Sequence, residues 1–103
     1  MEKGSIVNNV TYTMKPGKRA DFLREMRESG LLEAVRSEEG CLLYAYFIPE
    51  EDDGNLFLLE KWRDKECLSG HVANPNMAKV KAVKAKYIEE TVVEKFSSDC
   101  RRF

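Results

Sequence analysis

The stretch from Asn55 to Met77, NLFLLEKWRDKECLSGHVANPNM, holds the chain's only tryptophan, Trp62, its only histidine, His71, and a carboxylate, Glu60, on an otherwise apolar strand face. Imidazole is the side chain that changes charge nearest neutrality, so it suits general acid or base work. A carboxylate among apolar groups is costly unless it is paired or hydrogen-bonded. Lining a cavity, Glu60 would act as a base or orient His71. The indole of Trp62 offers a flat face and one N–H donor for holding a ring. The chemistry implied is proton transfer on a small flat organic molecule. Asn8 stands between Ile6 and Val10 on the apolar side of the first strand, where a buried amide must find partners, either a ligand oxygen or neighbouring backbone. Tyr44 and Tyr46 share a face of the second strand and project into a pocket or into a dimer interface; spacing does not choose. Met77 and Met26 could line the same cavity as adaptable apolar walls. Each residue also has a plainer reading: Glu60 solvated at the strand end or paired with a lysine, His71 bonded to a carbonyl at a helix end, Trp62 and the methionines packed in the core.

Other chemistries lack their residues. No glycine-rich phosphate loop and no nucleophile elbow is present, which argues against a nicotinamide or flavin crossover. Cys41, Cys67 and Cys100 are widely separated, with no C-x-x-C and no Cys/His spacing, so neither a metal nor a bound cofactor is expected. Three unpaired thiols suit a reducing compartment, most simply the cytoplasm. Seventeen basic residues against eighteen acidic ones leave no excess of positive charge to neutralise phosphates, so no nucleic-acid partner is expected. The local basic run Lys79, Lys81, Lys84 and Lys86 reads as a solvated helix face. No apolar run approaches the ~20 residues that cross a bilayer, and the opening MEKGSIVNNV lacks a secretory apolar region, so no membrane partner is expected.

The elements that must position these groups follow from periodicity. A chain of 103 residues, 43% hydrophobic, forms one domain with a core over about residues 5–97 and a loosely held tail over 98–103. Residues 5–14 alternate as a strand with one apolar face, and Lys15-Pro16-Gly17 turns the chain. Residues 18–37 carry Phe22, Leu23, Met26, Leu31, Leu32 and Val35 at helical spacing, broken or bent at Ser29-Gly30 and ended by Glu39-Gly40. Strands follow over Cys41–Ile48 and Leu56–Trp62, joined by a polar turn whose tip, Asp53-Gly54-Asn55, suits a hairpin reversal. Asp64 caps a short helix over residues 65–70, so that His71 falls between two helix starts. Asn74-Pro75 starts a helix running to about Lys86, and Thr91–Ser97 is the last strand. The order β-α-β-β-α-β is the ferredoxin-like α+β arrangement, a four-stranded antiparallel sheet with helices on one face. Strands two, three and four carry apolar residues at both parities, so a second covered face is expected, supplied by a homodimer packed sheet on sheet.

On these residues the chain resembles the antibiotic biosynthesis monooxygenase family of dimeric α+β barrels. The resemblance is carried by the opening strand through Lys15-Pro16-Gly17, Asp21-Phe22, the Glu39-Gly40-Cys41 entry to the second strand, and Leu59-Glu60-Lys61-Trp62 followed by His71 and Pro75. It covers about residues 5–97 and implies fold more sharply than chemistry, because the fold hosts several reactions. Quinol and anthrone oxygenases of this group use molecular oxygen without metal or flavin; Asn8, Glu60, Trp62 and His71 resemble their equipment. A haem-degrading branch shares Asn8, but its tryptophan position falls on His71 here and its haem-ligating histidine near Lys81, which disfavours haem. A branch isomerising a phosphorylated signalling sugar shares Glu60, Trp62, His71 and Pro75, and would need basic groups such as Arg63 or Lys79 at the pocket mouth.

The resemblance implies a cofactor-independent monooxygenase acting on a small quinol, phenol or enol, with His71 oriented by Glu60 as base, Asn8 and Trp62 holding the ring, and molecular oxygen as second substrate. Isomerisation of a small hydroxy-ketone and non-catalytic metabolite binding are the alternatives. A cavity open to Glu60 and His71 favours an enzyme; one filled by Trp62, Met26 and Met77 favours the binding module.

Overall fold

Period-two alternation puts Ile6, Asn8, Val10, Tyr12 and Met14 on the buried side of strand β1 (Ile6–Met14). β3 (Leu56–Trp62) buries Leu56, Leu58, Glu60 and Trp62 by the same rule, and the two strands pair antiparallel with Asn8 opposite Glu60 and Ile6 opposite Trp62. β2 (Cys41–Phe47) flanks β3 and β4 (Ile88–Ser97) flanks β1, giving a four-stranded sheet in the order β2-β3-β1-β4. The computed structural model describes residues 4–98. Four helices complete it: α1 (Arg19–Glu28), α2 (Leu31–Arg36), α3 (Lys65–Ala73) and α4 (Pro75–Tyr87). This is the ferredoxin-like α+β fold expected from the sequence.

The helices bury one sheet face. Phe22, Met26 and Val35 are fully buried against Leu56, Leu58 and Trp62, with Val80 and Val83 from α4. Phe22 meets Tyr12, Tyr46 and Tyr87 edge-on at centroid distances of 5.8, 5.7 and 6.4 Å. Burial of a side chain of this size contributes roughly 1.5–3 kcal/mol.

Most of the predicted punctuation is present. Gly30, at φ 81, separates α1 from α2. The Asp64 carboxylate accepts from the Cys67 amide at 2.8 Å, and the Asn74 side chain accepts from the Asn76 amide at 2.9 Å, with Pro75 opening α4. Two boundaries differ from expectation. α3 continues to Ala73, so His71 lies in its last turn rather than between two helix starts. The stop is set by Asn74, held extended at φ −69, ψ 140 because proline follows. β4 begins at Ile88 rather than Thr91, since β1 offers it a partner as far as Met14. The expected tail beyond Ser98, with Cys100, lies outside the described residues.

The second sheet face is uncovered in the single chain. Phe47, Val92 and Phe96 are each about half exposed. β4 is almost wholly exposed along both faces, because the helices stop short of it. Among the described residues no helix is long and apolar enough to cross a membrane.

Candidate functional site

His71 is held from two sides. Its Nδ1 lies 2.7 Å from Glu38 Oε1, and both side chains are buried. The other Glu38 oxygen accepts from Asn76 Nδ2 at 3.1 Å. With a carboxylate as partner, the neutral ring carries its proton on Nδ1 and keeps the lone pair on Nε2. The Trp62 indole stacks on the ring at 4.5 Å with 23° between planes. Trp62 in turn donates its Nε1–H to Glu60 Oε1 at 2.7 Å, which satisfies a carboxylate otherwise set among apolar strand residues.

Glu38 reaches His71 through the turn between α2 and β2. Gly40 in that turn has φ +76, and a side chain there would overlap Cys67 of α3. The turn therefore packs directly on α3, and glycine satisfies both the backbone angle and the close approach. The Gly40 carbonyl also accepts from the Arg63 amide at 2.8 Å, tying the turn to the end of β3.

A cavity of about 160 Å³ opens between α3, α4 and the β1–β4 half of the sheet. Its polar lining is Asn8, Tyr12, Glu60, His71, Lys84 and Thr91. Leu68, Val72, Met77 and Val93 add apolar wall. A dry cavity of about 150 Å³ accepts a benzene ring, so one ring fits here, with the exposed β4 side left open. Burial, with Tyr46 and Glu60 adding to it, pushes the Tyr12 hydroxyl far above the usual phenol range, so it stays a neutral donor. Asn8 is more than nine-tenths buried and its Oδ1 has no hydrogen-bond partner. A larger hollow of about 400 Å³ lies on the outer side of His71, lined by Arg63, Asp64, Cys67 and Asn74 among others. Glu38 and His71 border this hollow as well, Arg63 pairs there with Asp64 and Glu39, and Glu66 adds a further carboxylate.

Asn8, Glu60, His71 and Met77 thus come together as the sequence pattern suggests, and the rest need correction. Glu60 was expected to orient His71; Glu38 holds that place, from 33 residues upstream, and Glu60 bonds to Trp62 instead. Trp62 is fully buried and supports Glu60 and His71 from behind the cavity wall. Tyr44 and Tyr46 face the helices but lie outside the cavity lining, Tyr44 packing edge-on to His71 at 6.2 Å. Lys84, expected on a solvated face, is half-buried and lines the cavity. Its place was legible: Met77, Val80, Lys84 and Tyr87 recur at the spacing of one helix stripe, and Val80 is core. Glu38 gave no such signal, because only the folded turn brings it to α3.

The sequence profile described as antibiotic biosynthesis monooxygenase matches residues 5–83. The chain belongs to this family. Among relatives, YcnE of Bacillus subtilis, whose name marks it as a candidate monooxygenase, is 33% identical over 66 residues, spanning 64% of this chain and 67% of that one. A Synechocystis protein of uncharacterised function is 31% identical over 62 residues, 60% of this chain but 41% of its own length. A Natronomonas pharaonis protein named as a candidate haem binder is 35% identical over 66 residues, 64% of this chain and 11% of that one. The chain therefore spans less than half the length of these two relatives. A solved Caulobacter crescentus structure, described as a candidate antibiotic biosynthesis monooxygenase, superposes with a TM-score of 0.83 at 22% identity, over 94% of this chain and 92% of that one. That likeness establishes the shared fold.

Proposed function

We propose that this family member oxygenates a small phenol, quinol or enol with molecular oxygen, using no bound cofactor, and that it works as a homodimer in the cytoplasm. The observation that carries the reading is the Glu38–His71 pair beside a one-ring cavity that also holds Glu60 and Asn8. The cavity is open rather than filled by Trp62 and Met26, which favours an enzyme over a binding module. His71 takes a hydroxyl proton, and Glu38 stabilises the imidazolium formed. The electron-rich anion passes one electron to oxygen, and the radical pair joins as a carbon–oxygen bond. The peroxide O–O bond then breaks with loss of water. For a quinol the sum is quinol plus O₂ giving hydroxyquinone plus water, so the substrate supplies all four electrons. Leu68, Val72, Met77 and Val93 give the reacting ring an apolar wall.

Haem fits these residues poorly. The only histidine is buried with Nδ1 engaged by Glu38 and its face covered by Trp62, and the cavity holds about one ring. The uncovered apolar sheet face, with Phe47, Val92 and Phe96, supports the dimer. Oxygen uptake with a panel of small quinols, against a protein-free autoxidation control and against His71→Ala, tests the reading. Uptake above control that depends on His71 is expected; uptake equal in the variant removes the role of His71, and none above control returns weight to a hydroxy-ketone isomerase.

A further inference from the structure

Lys84 is a cation beside the cavity, with Glu60 of the same lining acting on it across the space and no ion pair closed between them among the described residues. It sits on the stripe of α4 that carries Val80 into the core, and its stem is half-buried. Among the described residues its Nζ makes no ion pair and lies over the Tyr12 ring, 5.2 Å from the centroid. A lysine stem packed beside a cavity carries its ammonium to the cavity's edge, where an anionic occupant would offset its partial loss of hydration. Withdrawal from water lowers its pKa, Glu60 opposing the shift and Lys81 adding to it. The second observation is independent: Asn8, across the same cavity on β1, is more than nine-tenths buried and has an amide oxygen with no partner.

We infer that Lys84 is the anion-binding group of this site: its ammonium receives the ionised oxygen of a phenol or enol, while the Asn8 amide takes a second oxygen of the same ligand. The inference rests on the phenol and enol reading above and narrows it to ligands bound as their anions. A ligand hydroxyl both donates and accepts, so it satisfies the Asn8 amide in either orientation. The ionisation balances within the site. The ligand O–H bond breaks, an N–H bond forms on the His71 ring, and no electrons change hands. The imidazolium then faces Glu38 and the ligand anion faces Lys84. The other charged group of the lining, Glu60, has one oxygen engaged by the Trp62 N–H. Apart from His71, the faces that α3 and β4 present, Leu68, Val72, Thr91 and Val93, carry no charge.

The test uses 4-nitrophenol, a one-ring phenol whose anion absorbs visible light and whose neutral form does not. It is too electron-poor to be a good oxygenase substrate, so binding is read apart from turnover. Absorbance is followed over a pH series with wild type, Lys84→Met, Lys84→Gln and Lys84→Arg, circular dichroism confirming the fold of each. The wild type is expected to lower the ionisation midpoint of the bound phenol by about one unit, a tenfold bias toward the anion. Lys84→Met and Lys84→Gln should lose that shift and bind about tenfold more weakly, while Lys84→Arg should retain the shift. If Lys84→Met does not fold, the Gln and Arg pair decides. A midpoint unmoved or raised in wild type, the same shift in the Gln variant, or no binding at all overturns the inference. Oxygen uptake with quinols is scored separately: anion binding without uptake defeats the oxygenase reading alone, and uptake without Lys84-dependent ionisation defeats this one alone.

Discussion

At the scale of single residues, the site is two short hydrogen-bonded pairs back to back. Glu38 holds His71 and Trp62 holds Glu60, with the indole stacked on the imidazole between them. Glu38→Gln keeps the size and one acceptor but removes the charge that stabilises an imidazolium. We expect kcat to fall roughly 10- to 100-fold and Tm to fall as well, because the amide N–H₂ meets one of the two donors that Glu38 accepts from, measured by steady-state oxygen uptake and thermal melts. Lys84 gives a prediction of opposite sense for stability. Its folded pKa is depressed, so its charged form destabilises the fold at neutral pH, and that penalty fades as pH rises toward the unfolded value near 10.5. Lys84→Met should therefore raise Tm at neutral pH, with the gain shrinking in alkaline buffer. A lower Tm at neutral pH would contradict a desolvated ammonium. The sequence exposed half of this arrangement. Asn8, Glu60, His71 and Met77 were legible from strand alternation and the helix start at Asn74-Pro75. Glu38 was not, because its proximity to His71 comes from a turn packing across 33 residues of chain.

Elements position the pair, and the turn before β2 matters most. Gly40 and Gly54 both have positive φ, at +76 and +85, but only Gly40 is pressed against a neighbour, Cys67. Gly54→Ala should cost about 1–2 kcal/mol, the left-handed backbone penalty. Gly40→Ala should cost more than ~2 kcal/mol by adding overpacking to that penalty, and should also loosen Glu38 from His71. Urea unfolding of both variants measures the difference, and equal losses would mean that the close approach of turn and α3 carries no weight. Strand and helix identities were readable because alternation and helical spacing coincide with caps such as Asp64 and Asn74. The two misplaced boundaries have different causes. α3 ran on until the pre-proline Asn74 stopped it, and β4 started early because β1 still offered an unpaired edge at Met14. Local sequence ended α3, while pairing with β1 decided where β4 begins.

For the molecule as a whole, the open sheet face is the feature the single chain leaves unfinished. Phe47, Val92 and Phe96 stand half exposed on the sheet face that no helix covers. Phe96→Glu should convert the proposed dimer to monomer, read by light scattering after size exclusion, and an unchanged mass would place the dimer contact elsewhere. The family membership established over residues 5–83 supports a function of the family's general type, and oxygenation is the proposal that the cavity's residues favour. The most direct measurement is turnover of an accepted quinol under ¹⁸O₂, with the product weighed by mass spectrometry. One labelled oxygen atom per product molecule, absent with His71→Ala, is the predicted result. Product that carries no label, or label independent of His71, would contradict the account.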